Sequence, residues 1–354
     1  MIRAVCNERL SGMTTTLPDA QTPTPTVAPI PYHRLARTDR HRWWRPILGT
    51  LLILAGLPVM LVGGFGAASA VVSILDGPED FLAGGPEAEL AVAMVSLGLL
   101  IPLTLIAAWW VQRRPAGTVS SVAGRLRWRW LAMCLLLAVP ALGLNLGVLS
   151  LLPGDSPESN SVGWERLALG LAVVVLLVPL QAAGEEYLFR GWLIQAFGSW
   201  IRSPWPGIVV SAVLFGLAHG YGTIWGMTSL IFLGVVTAVV TIRTGGLEAA
   251  IALHVVNNVA AIGLAVITGT LEAQQTATDV HALTAVVDMS MVALYGGAVL
   301  WLARRRRVQN GSGDDAVRTD TVIDIAAIPL WLLGAYLAVV TVTPVMSPLP
   351  CCTA

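Results

Sequence analysis

The sequence predicts an all-α protein, a polytopic transmembrane helix bundle of about nine spans with a cytoplasmic N-terminus. Composition is the first reason: the 354 residues are 55% hydrophobic and only 12% charged, whereas soluble domains carry about 25% charged residues. The second is a series of apolar runs close to the roughly 20 residues that a spanning helix needs. The third is that the arginines of the connecting segments fall in alternate segments.

The chain begins with a Thr/Pro-rich tail, 1–45, which we predict to be disordered and cytoplasmic because this composition cannot bury a core. The apolar runs that follow define N-terminal transmembrane helices over 46–160, a core region over 161–268 and C-terminal transmembrane helices over 269–354. The predicted spans are approximately 47–75, 90–111, 130–152, 166–197, 206–221, 224–242, 247–268, 282–302 and 325–345.

Charge placement gives the orientation. The connecting segments 76–89, 153–165 and 269–281 contain acids and no base, whereas Arg crowds the tail, 113–129 and 304–307. Cytoplasmic loops carry the excess of basic residues, so the N-terminus is predicted to be cytoplasmic. The sequence contains no lysine, which we interpret as the composition bias of a GC-rich bacterial genome. We therefore expect a multi-pass protein of a bacterial plasma membrane with membrane lipids as partners. A formal net charge of +0 indicates no nucleic-acid partner.

Polar residues inside the spans are the strongest functional signal, because an ionisable residue there costs a few kcal/mol or more. Glu186 and Arg190 are four residues apart and are predicted to pair, which leaves Glu185 free. His254 and Asn258 have the same spacing. The polar span residues are Glu185, Glu186, Arg190, His219, His254, Asn257 and Asn258.

The depths of these residues agree if the fourth helix continues to about Gly198. Glu185 then lies about 20 Å above the cytoplasmic end, level with His219 and Asn258, and His254 lies at about 13 Å. The four side chains are therefore predicted to meet if their helices adjoin.

Such a group has the parts for adding water to an amide carbonyl. Two adjacent carboxylates shielded from water suit a general base near neutral pH, and a histidine can hold the same water. A second histidine and an asparagine can donate to a developing oxyanion. No Ser or Cys lies in a nucleophile motif, no H-E-x-x-H is present and the four cysteines lack metal-ligand spacing, so neither a metal nor a cofactor is predicted.

Three segments resemble the motifs of one family. GEEYLFRGWL at 184–193 resembles E-E-x-x-x-R, FGLAHG at 215–220 resembles F-x-x-x-H, and LHVVNN at 253–258 resembles H-x-x-x-N. They are similar in order and separation to the motifs of the CPBP family, the CaaX-protease and bacteriocin-processing membrane endopeptidases also called Abi proteins. The resemblance covers roughly 165–265 and leaves out the outer spans and the tail.

The resemblance implies that Glu185 activates water together with His219. It further implies that His254 and Asn258 form the oxyanion hole, with Glu186 and Arg190 supporting the site. Prenyl-protein members of the family cut just after a lipidated cysteine near the substrate's C-terminus, from a site open to the cytoplasm. We therefore expect a peptide or protein tail at the membrane as substrate, and a lipid on it stays an open alternative.

Other classes of function remain open at this stage. One alternative is a zinc-dependent membrane peptidase that uses His219, His254 and a carboxylate. Another is a non-catalytic immunity or scaffold protein with the same fold. A proton-coupled transporter is disfavoured, because the two halves show no corresponding pair of broken helices.

Overall fold

The computed structural model describes residues 29–74, 86–151, 160–271, 278 and 280–313. These residues are mostly helical, and seven helices among them are long and apolar enough to cross a membrane, which confirms the predicted fold class. The strands are β1 (Ile30–Pro31) and β2 (Gly311–Ser312), and the helices are α1 (Arg45–Ile74), α2 (Pro86–Gly98), α3 (Leu100–Ile106), α4 (Trp128–Ser150), α5 (Trp164–Glu186), α6 (Ile194–Trp200), α7 (Trp205–Ala218), α8 (Ile224–Thr244), α9 (Glu248–Thr268) and α10 (Ala282–Arg306).

Two of the nine predicted spans do not correspond to one of these seven long helices. The fifth corresponds to α7, which has 14 residues and is about 21 Å long, shorter than a hydrocarbon core of about 30 Å. The ninth, 325–345, lies outside the described residues. Membrane orientation stays a prediction, since it rests on the placement of arginine.

The fourth span is the longest of the seven. Helix continues over 37 residues from Trp164 to Trp200, about 55 Å, so the expectation that it extends to about Gly198 is confirmed. A π-helical segment, Tyr187–Leu193, joins α5 to α6 and begins directly after Glu186. Such segments are rare and occur frequently at functional sites.

The long helix lies in the middle of the bundle. α5 packs between α2 and α9, and α9 in turn contacts α4 and α8. α8 packs against α7 and α10, and α10 closes against α4. The two helices with the largest number of polar candidates, α5 and α9, are therefore direct neighbours.

The segment between α3 and α4 folds back beneath the start of α9. The Val122 N–H donates to the Gly245 carbonyl over 2.8 Å, and the Leu247 N–H donates to the Ser120 carbonyl over 3.0 Å. These two bonds satisfy backbone groups that would otherwise be buried unpaired. They fix the height at which α9 begins, and with it the height of the polar residues along α9.

A buried ion pair holds the same end of α9. Glu248 is fully buried, and its two carboxylate oxygens accept from Arg127 Nε over 2.8 Å and Nη2 over 2.7 Å. The Arg127 backbone N–H also donates to Glu248 over 2.8 Å. Nearby, burial lowers the pKa of Arg114 to about 10. The bidentate pairing of Arg127 with Glu248 is geometrically specific, so it fixes the register of α9 against the segment between α3 and α4.

The predicted disorder of 1–45 is wrong for the stretch that precedes α1. Tyr32 is fully buried and its hydroxyl donates to the Val119 carbonyl, while Leu35 joins the main hydrophobic core. Thr/Pro-rich composition describes only the earlier part of the tail, and the aromatic and aliphatic side chains after it find a tertiary partner. Residues 1–28 lie outside the described residues.

Residues 30–37, called the N-terminal strap below, cross the end of α6. Arg34 Nη1 donates to the Gly198 carbonyl over 2.5 Å, and Arg37 Nη1 donates to the Ser199 carbonyl over 3.1 Å. Cationic side chains that bond the last carbonyls of a helix also oppose its dipole favourably. The strap therefore caps the helix that carries the two candidate carboxylates.

Candidate active site

Glu185 and Glu186 are the last two residues of α5, and both are buried. The helix can come close to its neighbour here because of Gly184, where a Cβ would collide with the Leu97 carbonyl. Tyr187 follows at the start of the π-helical segment, and its hydroxyl lies 2.7 Å from Ser120 Oγ. Packing on one side and this hydroxyl pair on the other fix the two carboxylates inside the bundle.

Glu186 pairs with Arg190, as predicted from their spacing. Arg190 Nη1 lies 3.1 Å from Glu186 Oε1, and both side chains are almost completely removed from solvent. The guanidinium also stacks 4.1 Å from the centre of the Phe215 ring. A cation held between a carboxylate and an aromatic face is stabilised electrostatically by both.

His254 contacts both carboxylates, which the sequence did not predict. Its Nδ1 donates to Glu186 Oε1 over 2.8 Å, and its Nε2 lies 3.5 Å from Glu185 Oε2. Glu185 Oε2 makes no hydrogen bond among the described residues. When both carboxylates are ionised and Arg190 is charged, one negative charge is left uncompensated, and an imidazolium at His254 would neutralise it.

His219 reaches the group through Phe215. The Phe215 ring lies 4.6 Å from the His219 ring and 5.6 Å from the His254 ring, measured between centroids. His219 Nδ1 donates to the Phe215 carbonyl over 2.8 Å, so a neutral His219 presents Nε2 as an acceptor. His219 is half-buried at the end of α7, whereas His254 is buried.

Asn258 lies one turn beyond His254 and is half-buried. Its Nδ2 donates to Gln181 Oε1 over 3.0 Å. The exposed Asn257 lies beside it, with Nδ2 3.5 Å from Asn258 Oδ1. The structure thus brings four candidates into direct contact, joins His219 to them through one ring, and places Asn258 on the adjacent turn of α9.

Gln181 is a site residue that sequence reasoning missed. It is buried and lies four residues before Glu185, on the same face of α5. The spacing that paired Glu186 with Arg190 would have found it. Asp288, on α10, is likewise not among the polar span residues predicted from the sequence; it accepts from Asn145 Nδ2 over 2.9 Å.

The arrangement of the possible metal ligands bears on the alternative of a zinc-dependent peptidase. Within the described part of the chain, no three His, Cys, Asp or Glu side chains are grouped as metal ligands. Both ring nitrogens of His254 face carboxylates, whereas the alternative would direct one of them, with His219 and a carboxylate, at a single ion. A chelator titration with zinc analysis of the purified protein tests this alternative directly.

Comparison with known proteins places the site within one domain. Residues 166–260 form an Rce1-like domain, matching the family described as type II CAAX prenyl endopeptidase, Rce1-like. This confirms the resemblance drawn from the three motifs, all of which lie inside the matched range. The similarity to a membrane protease family is thus shown for these residues of the chain.

Two relatives are themselves uncharacterized. The chain is 28% identical over 185 residues to the uncharacterized protein YyaK of Bacillus subtilis (strain 168), covering 49% of this chain and 60% of the relative. It is 35% identical over 88 residues to an uncharacterized 24.3 kDa protein of Escherichia coli, covering 24% of this chain and 39% of the relative. The matches thus span less than two thirds of either relative. No solved structure matches the chain.

Proposed function

We propose that the chain is an intramembrane endopeptidase of a bacterial plasma membrane that hydrolyses a peptide bond in a membrane-associated peptide or protein tail. One observation carries the proposal. Inside an Rce1-like domain, a carboxylate oxygen of Glu185 lies 3.5 Å from His254 and has no hydrogen-bond partner in the part of the chain that the structure describes. An intramembrane ionisable residue is a functional candidate by default.

In this proposal Glu185 and His219 activate the water. Glu185 Oε2 accepts the water proton, and His219 Nε2 holds the same water by its lone pair. The water oxygen attacks the carbonyl carbon of the substrate and forms a tetrahedral oxyanion. The C–N bond then breaks, and Glu185 returns the proton to the leaving amine. General acid–base transfer of this kind contributes about 10²–10⁴-fold in rate.

His254 and Asn258 are assigned to the oxyanion. Glu186 holds the Nδ1–H of His254, which fixes the orientation of the ring and leaves Nε2 directed toward Glu185. When Glu185 takes the water proton, a protonated Nε2 donates to the oxyanion. Preorganised donors of this kind are often the largest catalytic contribution. Arg190 supports the arrangement by neutralising Glu186.

The substrate class follows from the family and the setting. The matched family is described by its action on CAAX prenyl proteins, so a lipidated cysteine is the first feature to test. Two internally quenched peptides serve as probes: one with an S-farnesyl cysteine fourth from its C-terminus, and the same peptide with a free cysteine. Comparative peptidomics of membranes from strains carrying wild type or Glu185→Gln searches for the natural substrate.

The purified Glu185→Gln protein gives the decisive measurement. We expect it to lose at least about a hundredfold in kcat while it inserts and melts like wild type. Asp288→Asn is the matched control, because it removes a membrane-embedded carboxylate outside the site and should retain activity. Equal hydrolysis by wild type and Glu185→Gln, or no hydrolysis of either probe together with identical membrane peptidomes, would overturn the proposal.

The same purified proteins and strains distinguish the proposed function from two alternative functions. Activity that disappears with a chelator, and returns in proportion to bound zinc, would assign a zinc peptidase. Complementation of a deletion strain by Glu185→Gln as well as by wild type would assign a non-catalytic immunity or scaffold protein.

A further inference from the structure

We propose that Gln181 is a positioning residue that orients the amide of Asn258 for oxyanion binding. The proposal rests on the function proposed above and adds to it a residue outside the three motifs. Gln181 is only 4% exposed, and its Oε1 accepts from Asn258 Nδ2 over 3.0 Å.

The helix geometry makes this contact a continuation of the site. Gln181 and Glu185 are four residues apart on α5, and His254 and Asn258 are four residues apart on α9, so each pair shares a helix face. Because Glu185 faces His254 while Gln181 faces Asn258, α5 and α9 run antiparallel here. The two contacts form consecutive polar levels of one helix interface.

The polar interface ends after these two levels. One turn before Gln181, Leu177 is almost fully buried and packs in an apolar cluster that includes Ile262. One turn before His254, Ala250 is fully buried. Leucine in place of Gln181 would extend the apolar contact without the desolvation that an amide suffers inside a membrane protein. The amide is therefore explained by its bond to Asn258.

That bond fixes the direction of the Asn258 amide. The Nδ2 group carries two hydrogens; Gln181 takes one, and the other is left for a substrate oxygen. As long as Gln181 Oε1 faces Asn258, turning the Asn258 amide by 180° would place Asn258 Oδ1 against it, two acceptors without a hydrogen between them. Asn257 Nδ2, 3.5 Å from Asn258 Oδ1, favours the same orientation.

Gln181→Leu tests the proposal with the quenched peptides or with the substrate found by peptidomics. We expect kcat to fall about tenfold to a hundredfold, the range typical of a small misplacement at a catalytic site, while KM changes by less than about threefold. The decisive variant is the double substitution with Asn258→Ala. If Gln181 acts through Asn258, Gln181→Leu has no further effect once Asn258 is gone.

Gln195→Leu is the matched control. Gln195 is a fully buried glutamine on α6 whose Nε2 donates to the Thr118 carbonyl, in the segment between α3 and α4, over 2.8 Å. Its substitution should lower the melting temperature, and any effect on kcat should multiply with that of Asn258→Ala.

The outcomes distinguish the two proposals. Multiplying effects of Gln181→Leu and Asn258→Ala, or a Gln181→Leu protein with altered melting temperature and unchanged kcat, would overturn the positioning role alone. Undiminished hydrolysis by Glu185→Gln would overturn the proposed function itself.

Discussion

His254 Nδ1 donates to Glu186 Oε1 over 2.8 Å, between α9 and the last residue of α5. The same carboxylate oxygen lies 3.1 Å from Arg190, so Glu186 is shared between a guanidinium and an imidazole. A carboxylate in this position sets both the local charge and the orientation of the ring. The ion pair predicted for Glu186 from its spacing is thus joined by a hydrogen bond to a residue on a second helix.

Arg190→Met should destabilise the protein strongly. Removing one partner of a buried ion pair typically costs about 3–5 kcal/mol, because the other charge stays buried and uncompensated, whereas replacing both partners costs much less. We expect a clear drop in the melting temperature of the detergent-solubilised protein.

The double variant Glu186→Gln with Arg190→Met is the control. It should recover part of the lost stability and remain impaired in hydrolysis, because the neutral amide holds His254 Nδ1 less strongly. A single Arg190→Met protein that melts like wild type would show that the pair is not coupled.

Glu248→Gln should separate stability from chemistry. Glu248 accepts from three N–H groups of Arg127 in full burial, so losing the charge weakens charge-assisted bonds worth about 1.5–3 kcal/mol each. The expected result is a lower melting temperature with kcat at 25 °C within about twofold of wild type. A loss of kcat comparable to that of Glu185→Gln would place Glu248 in the reaction.

The spacing of residues in the sequence predicted the pairwise contacts well. Four-residue spacing gave the Glu186–Arg190 pair, and the depth argument gave the long fourth helix. Both follow from helix geometry alone. The bridge from His254 to both carboxylates was not predictable, because it depends on how α5 and α9 approach each other.

The strap shows a different limit of sequence reasoning. Composition predicts whether a segment can form its own core, and 1–45 cannot. Tyr32 nevertheless packs into a core built by distant residues such as Val119. Composition does not report such a partner, so the order of the strap became visible only in the structure.

Phe215→Leu should impair the reaction without removing a catalytic group. The ring contacts His219 and stacks on Arg190, so leucine keeps apolar volume and loses both aromatic contacts, each worth about 0.5–2 kcal/mol. We expect kcat about tenfold lower. Phe189→Leu, an aromatic neighbour whose ring centroid lies 5.3 Å from that of Phe215, is the comparison variant and should have a smaller effect; the reverse order would contradict the role of Phe215.

We expect the N-terminal strap to detach from the end of α6 at acidic pH. His33 Nε2 donates to the Arg202 carbonyl over 3.0 Å, while its Nδ1 is buried without a hydrogen-bond partner among the described residues. Burial lowers the pKa of His33 below its usual value, so the docked strap favours the neutral ring. A group with a depressed histidine pKa stabilises docking fully above the unfolded value of about 6.5 and loses this contribution as the pH falls below it.

Hydrogen exchange over residues 30–37, corrected for the intrinsic rate at each pH, measures the effect. Protection should be high at pH 7.5 and lower at pH 5.5, because protonation would place a charge on the buried Nδ1. His33→Gln is the matched control: its amide can still donate to the Arg202 carbonyl and does not titrate, so protection should depend much less on pH. Equal pH dependence in both proteins would assign the effect to other groups, such as His41, whose pKa is also lowered by burial and neighbouring arginines.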